Sequence, residues 1–260
     1  MDKTLGAVRG SDVSILDITA GYNGSRTVIT DCAFTSPLKI ARPIYIGGLT
    51  EVIQMSASAG LLDGDEQHIN INVGEKAFLR FTGQSFTKIF RADKKGAVQN
   101  VRISVSSGGC LLYLPRPVIP FAGSRFKSTA EIYLEKGSRF FCWDILSCGR
   151  AGMGERFAWD SCCSRTVVYI DGQPVFLDTQ RYIPKIYSPA GIGFFEGYSH
   201  IGTAYIYGAE DINIPGEGSI TKTNAREGIC IRAAGNSAEE VLGYFGQIKL
   251  NGGNSSWLVF

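Results

Sequence analysis

Three segments in the middle of the chain repeat one pattern: an alternating strand, a short polar turn, then a second apolar run. The alternating runs are 68–73, 100–105 and 130–135, and the apolar runs behind them are 77–81, 110–114 and 138–143. Val73, Val105 and Leu134 hold the same place in each unit, which gives a period of about 30 residues, the range of stacked repeats. A two-stranded unit cannot bury its apolar face alone, so each must lie on its neighbours. Each unit also leaves its second run into an unusual segment: polar at 84–88, proline-rich at 115–121, polar again at 144–150. Stacked units would stack these exits on one side of the protein.

Three units are few for a complete solenoid. The expected fold is therefore mostly β: stacked hairpins with a β-solenoid-like, helical winding of two packed sheets, plus one or two short α-helices. Glycine is abundant (32 residues) and helical periodicity nearly absent, while runs such as 27–30, 49–55 and 166–170 carry the β-branched and aromatic residues of strands. Asp171-Gly172 between two alternating runs predicts a hairpin turn. The run 198–209 reads as a strand in which Gly202 marks a bulge or a close approach. One clear helix follows Asn236-Ser237, with Glu239 and Glu240 at its start and Val241, Leu242, Tyr244 and Phe245 on one side. A shorter helix is expected near 152–158. No stretch resembles a linker, so residues 1–260 are expected to form one domain, with the Gly-, Asn- and Ser-rich last ten or so residues mobile.

Hydrophobic residues make up 44% and charged residues 19% of the chain, which marks it as globular rather than disordered. Its net charge of +2, with both signs interleaved, gives no footprint for nucleic acid or an anionic membrane. No run reaches the roughly 18 apolar residues of a membrane span. The first residues lack the basic and apolar regions of a secretory signal, so a cytoplasmic location is expected. Seven scattered cysteines, an odd number, suit reduced core thiols better than a disulfide framework. No Cys-x-x-Cys pair supports structural zinc.

Catalytic signatures fail one after another. Gly83-Gln-Ser85 and Gly197-Tyr-Ser199 begin like nucleophile elbows but lack the second glycine. Only His68 and His200 could serve as a base, and His200 reads as a strand histidine with a local partner. Gly152-Met-Gly154 lacks the third glycine and the βαβ setting of a dinucleotide loop, and no P-loop exists. An enzyme is not expected.

The densest ligand cluster, 63–68 (Asp-Gly-Asp-Glu-Gln-His), starts like a calcium loop and then breaks its spacing. It reads as a polar turn feeding a strand, or with Asp65 pointing inward as a weak ligand for a borderline metal such as nickel. Asp144 shares a strand face with Cys142 and needs a partner, for which Arg150 is the obvious candidate; a structural ion pair and a functional one are both open. Pro115, Pro117 and Pro120 remove three donors, so no ladder is expected through 115–121. The segment reads as a rigid connector or, with Phe121, as a stiff apolar ledge for docking another protein.

In their order and spacing, 62–65 (Leu-Asp-Gly-Asp), 83–89 (Gly-Gln-Ser-Phe-Thr-Lys-Ile), 114–122 (Leu-Pro-Arg-Pro-Val-Ile-Pro-Phe-Ala), 141–157 and the hairpin at 167–178 resemble the UreD/UreH family of urease accessory proteins. The similarity runs from about residue 34 to about 247, and Lys76 stands where the family usually has glycine. The resemblance implies a non-catalytic maturation factor with a mostly β, helically wound fold. Such a factor bridges apo-urease and a UreF-type protein, which recruits a UreG-type GTPase carrying nickel. It also implies a polar internal route for nickel in transit, with no tightly bound cofactor. Carried over residue by residue, the route would be lined by Asp65, Ser85, Thr87, Asp144, Arg150 and Asp178. The competing expectations are a cytoplasmic β-helical enzyme acting on polysaccharide and a purely structural interaction protein without a metal role.

Overall fold

The computed structural model describes residues 13–209, 211–214, 218–252 and 255–258. Strands dominate, and two sheets wind into a β-solenoid of about four turns. In the first sheet the strands Val13–Tyr22, Glu66–Val73, Ala97–Val105, Arg125–Leu134 and Ser161–Ile170 run parallel to one another. Thr27–Phe34 and Gln173–Tyr182 close its two edges in antiparallel fashion. In the second sheet Leu49–Ser56, Phe78–Gly83, Cys110–Leu114 and Arg139–Ser147 are parallel, and His200–Tyr207, Ile229–Gly235 and Ser219–Asn224 extend it antiparallel.

The winding and the two packed sheets are those expected from the repeat, and the unit itself differs in one respect. The two strands of a unit are not hydrogen-bonded to each other as a hairpin. Glu66–Val73 pairs with the first strands of its neighbours, and Phe78–Gly83 with the second strands of its neighbours. The turn between them is an arch that carries the chain across the core. Each arch needs a backbone of positive φ at the same place, three residues after Val73, Val105 and Leu134: Lys76 (59°), Gly108 (71°) and Gly137 (87°). Glycine adopts this conformation freely and lysine does so at a cost, which explains why Lys76 is the odd residue of the set.

Equivalent side chains stack from turn to turn. Ile71, Ile103, Ile132 and Val168 lie in register and are fully buried. They face Leu79, Phe81, Leu111, Tyr113 and Phe140 of the second sheet. Burying a side chain of this size contributes about 1.5–3 kcal/mol. Arg139–Ser147 is buried on both faces, hence its unbroken aromatic run. Phe140 and Cys142 point into the solenoid, while Phe141 and Trp143 pack outside it with Val241 and Phe245. Those last two belong to the helix Ala238–Gly246, capped by the Ser237 hydroxyl, which accepts from the Glu240 N–H at 3.1 Å, while Glu240 accepts from the Asn236 N–H at 2.7 Å. Gly202 is the close approach: a Cβ there would meet Phe245 at 2.7 Å and Val241 at 2.8 Å.

Three further expectations resolve locally. Asp171 and Gly172 both take positive φ in the turn between Ser161–Ile170 and Gln173–Tyr182, as a tight hairpin requires. The helix expected near 152–158 is a single 3₁₀ turn, Ala151–Met153. A ladder does run through the proline-rich segment: Val118–Pro120 pairs parallel with Thr87–Ile89. The donors used are the Thr87 N–H to the Pro117 carbonyl and the Phe121 N–H to the Ile89 carbonyl, both 2.9 Å, so the prolines fall at positions whose N–H the ladder does not need. In the tail, Lys249–Gly252 pairs with Ser255–Leu258 and Asp211–Asn213. The leader expectation, and the tail residues 253–254 and 259–260, lie outside the described residues.

Candidate functional site

The row that follows the apolar row changes chemistry. Six residues before Val73, Val105, Leu134 and Ile170, the inward position is polar every time: Gln67, Gln99, Ser128 and Ser164. Ser14 precedes them in register and Gln180 follows, so one polar row crosses the whole first sheet. The second sheet answers with its own row. Gln54 pairs with Gly83 at one end, and Asp144, Thr203 and Arg232 are opposite one another at the other end.

Between the two rows lies a cavity of about 100 Å³ lined by Gln54, Ser85, Thr87, Gln99, Asp144 and Ser164 among others. A second cavity of about 60 Å³ carries on past Thr166 to Asp178 and Thr203. Gln99, Tyr113, Pro115, Ser128 and Asp144 line both, so the two adjoin as one passage whose polar groups lie along the two rows, while Val101, Ala130, Ile132 and Phe176 give the second cavity apolar walls. It crosses four strand spacings, on the order of 20 Å. The apolar core described above walls one side, and Leu61, Ile89, Phe126, Leu146, Cys162 and Tyr182 wall the other.

Asp144 sits at the middle. Burial, and after it the Asp178 charge, push its carboxyl up to about 6, while a hydrogen bond from Ser164 works the other way. Among the described residues no ammonium or guanidinium lies within ion-pair distance of it. Asp178 is the opposite case. Arg232 Nη2 donates to its Oδ1 at 2.6 Å and Gln180 Nε2 to its Oδ2 at 2.8 Å. The passage therefore holds two carboxylates and two guanidiniums: Arg232 is paired with Asp178, and Arg116, whose Nε donates to the Gly83 carbonyl at 2.9 Å, lines the first cavity, which leaves Asp144 as the carboxylate without a cation at ion-pair distance among the described residues. The passage's other candidate ligands are neutral amide and hydroxyl oxygens, which suit hard or borderline divalent ions, and the thiols of Cys142 and Cys162.

Of the residues singled out in the sequence, Ser85, Thr87, Asp144 and Asp178 line the passage, with Ser85 exposed at its mouth. Asp65 is not among the lining residues: its carboxylate accepts the Leu62 N–H at 2.7 Å, closing its own turn. Next to it, Asp63 accepts four successive N–H groups from Asp93 to Gly96, which hold its carboxyl near 2. The polar-turn reading of 63–68 holds. Arg150 does not reach Asp144. It pairs with Glu155, one contact being Nε to Oε2 at 2.8 Å, and lies 4.2 Å over the Phe121 ring. The reason is the left-handed turn at Gly149, which swings Arg150 outward from the strand that carries Asp144. Pro117 and Pro120 are buried, and Pro115 lines the passage while its carbonyl accepts the Trp143 indole N–H at 2.8 Å. His200 is a strand histidine whose Nδ1 lies 2.8 Å from the Ser199 hydroxyl, and burial lowers its affinity for a proton.

The residues not anticipated are Gln67, Gln99, Ser128, Ser164, Gln180 and Arg232. The first three stood in the repeat at a constant offset, six residues before Val73, Val105 and Leu134 and just upstream of the runs that defined it, and Ser164 holds the same place before Ile170. Arg232 had no such signal, because it meets Asp178 only through the strand order of the folded protein.

Fold and passage together define a class: a β-solenoid whose inward face is apolar in one layer and polar in the next. The family described as UreD urease accessory protein matches residues 14–251, and the chain belongs to that family. It is 40% identical over 189 residues to the urease accessory protein UreD of Acetivibrio thermocellus, covering 72% of each chain. It is 34% identical over 180 residues to the urease accessory protein UreH of Helicobacter hepaticus (69% of this chain, 71% of the relative). It is also 34% identical over 194 residues to UreD of Bacillus sp. strain TB-90 (74% and 71%). Family membership supports a role in urease maturation, and the relatives' names as accessory proteins agree with a non-catalytic part in it. No helix among the described residues is long and apolar enough to cross a membrane.

Proposed function

We propose that this chain is a non-catalytic scaffold that joins apo-urease to a UreF-type protein and, through it, to a UreG-type GTPase, and that nickel passes through its polar interior on the way to the urease metallocentre. The observation that supports this reading is the pair of facing polar rows, with Asp144 in the row of the second sheet. A buried carboxylate without a cation costs stability, and a fold retains such a group where something positively charged visits it. The hydrated ion would enter at the Ser85 and Thr87 mouth or at the Asp178 end and exchange water for side-chain oxygens one contact at a time. One carboxylate with neutral oxygens holds a divalent ion weakly enough to let it leave, whereas a set of thiolates or imidazoles would retain it.

Co-expression of urease with the UreF- and UreG-type proteins, with and without this chain, tests the scaffold. Active urease and a stable complex containing all partners are expected only with the chain present. Equal activation in its absence, with no complex formed, would refute the proposal.

A further inference from the structure

The two carboxylates of the passage differ in one respect that the passage alone does not require. Asp144 waits without a cation, while Asp178 already has one. Arg232 belongs to the same inward row as Asp144 and Thr203, opposite Thr203 on the strand Ile229–Gly235. Its Nη1 donates to Thr203 Oγ1 at 3.1 Å and its Nη2 to Asp178 Oδ1 at 2.6 Å. Gln180 Nε2 donates to the same two residues, to Asp178 Oδ2 at 2.8 Å and Thr203 Oγ1 at 3.2 Å. These four side chains form a closed ring across the end of the second cavity, joining the last strand of the first sheet to the second sheet.

Exposure shows which member of the ring is free to move. The Asp178 side chain is 12% exposed and that of Arg232 55%. The guanidinium therefore has the interior on one side and solvent on the other, and a change of rotamer would carry it outward. If it left, Asp144, Asp178, Thr166 and Thr203 would offer oxygen ligands to a divalent cation from one wall of a small cavity whose other walls are apolar side chains and the Cys142 thiol. While it stays, its charge neutralises Asp178 and opposes any cation approaching from Asp144.

We propose that Arg232 is a built-in cation that closes the Asp178 end of the passage, and that a divalent ion crosses this end only when the guanidinium releases Asp178. This inference rests on the passage reading given under Proposed function. The plain alternative is an ion pair that ties the edges of the two sheets together and does nothing else.

The test uses the full-length chain with Arg232→Gln, Arg232→Lys and the double variant Asp178→Asn/Arg232→Gln. Two readouts separate gate from tie. The first is Ni²⁺ binding by titration calorimetry. The second is the rate at which methyl methanethiosulfonate modifies Cys142, mapped by peptide mass spectrometry. Cys142 lines the second cavity just behind the ring, and burial pushes its thiol up to about 12, so it reacts slowly while the ring is closed. Cys162, which lines only the first cavity, is the internal reference. Arg232→Gln is expected to bind Ni²⁺ at least about tenfold tighter than wild type, and to label Cys142 at least about tenfold faster relative to Cys162. The double variant should label as fast but lose the gain in affinity, since the freed carboxylate is gone.

Wild-type affinity and labelling in Arg232→Gln, with only a lowered melting temperature, would overturn the gate and leave the tie. Should Arg232→Gln fail to fold, Arg232→Lys decides. A lysine keeps the charge but cannot bridge two oxygens in a fixed fork, so labelling faster than wild type is expected and an unchanged rate would refute the gate. A negative result here, with Asp144→Asn still starving urease of nickel, removes the gate and leaves the passage. Normal nickel loading with Asp144→Asn removes the passage itself, and the gate with it.

Discussion

The same five parallel strands of the first sheet build two layers that obey different rules. At Ile71, Ile103, Ile132 and Val168 the inward row is apolar, fully buried and in register, and it needs no explanation beyond packing. Four residues upstream on the same strands, the row Gln67, Gln99, Ser128 and Ser164 is polar from turn to turn, and it faces a buried aspartate without a cation. A solenoid could carry Ile or Val in both rows. Because the backbone is the same in each, the difference isolates what the second row adds: polar side chains facing Asp144, which on the proposed reading lower the cost of an ion passing through the protein interior.

Substitutions that exchange the character of the two layers sharpen this contrast. The largest effect is expected in the apolar row, where Ile103→Ala removes buried methyl groups from the centre of the stack. A loss of about 2–5 kcal/mol in urea unfolding is expected, with the m-value unchanged. A loss below about 1 kcal/mol would mean that this row is not the structural one. In the polar layer the sign reverses. Asp144→Asn keeps the shape and removes a buried charge, and a gain of about 2–3 kcal/mol at pH 7 is expected from a carboxyl raised from its usual 3.8 to about 6.

The pH dependence carries the same sign. The folded protein binds this proton more tightly than the unfolded chain does, so Asp144 penalises folding fully above about pH 6, and the penalty fades as pH falls toward 4. Melting curves of wild type and Asp144→Asn should therefore converge between pH 6 and 4 and stay apart above it. Parallel curves would contradict the assignment of a buried, uncompensated charge. The smallest effect belongs to the arches. Lys76→Gly should relieve the one non-glycine arch at φ 59° and raise stability by at most about 1 kcal/mol, read as a small upward shift in melting temperature.

What could be read in the sequence was whatever repeats. The period fixed the stacking, and Val73, Val105 and Leu134 marked equivalent positions whose arches and apolar rows the structure reproduces. The pairing within a unit was not legible, because an arch and a hairpin leave the same trace: two alternating runs and a polar turn. Asp144 was found because a charged residue in an otherwise apolar strand is conspicuous, and Asp178 only through the resemblance to the UreD/UreH family. Their partners were not, since the obvious choice of Arg150 rested on nearness in sequence. Gly149 turns that side chain to Glu155 instead, and the true cation of the region, Arg232, lies 54 residues from Asp178. Asp65 shows the reverse case: conspicuous in sequence, it serves its own turn. Sequence distance conceals contacts that only the crossing of strands between two sheets creates.

The central claim is that the polar layer exists for a passing ion and is kept at the expense of stability. It is tested most directly by the nickel content of urease matured in cells in which this chain carries Asp144→Asn. Less than about a tenth of the wild-type nickel is expected, with the complex of partners recovered intact. Urease filled to the wild-type level would contradict the account.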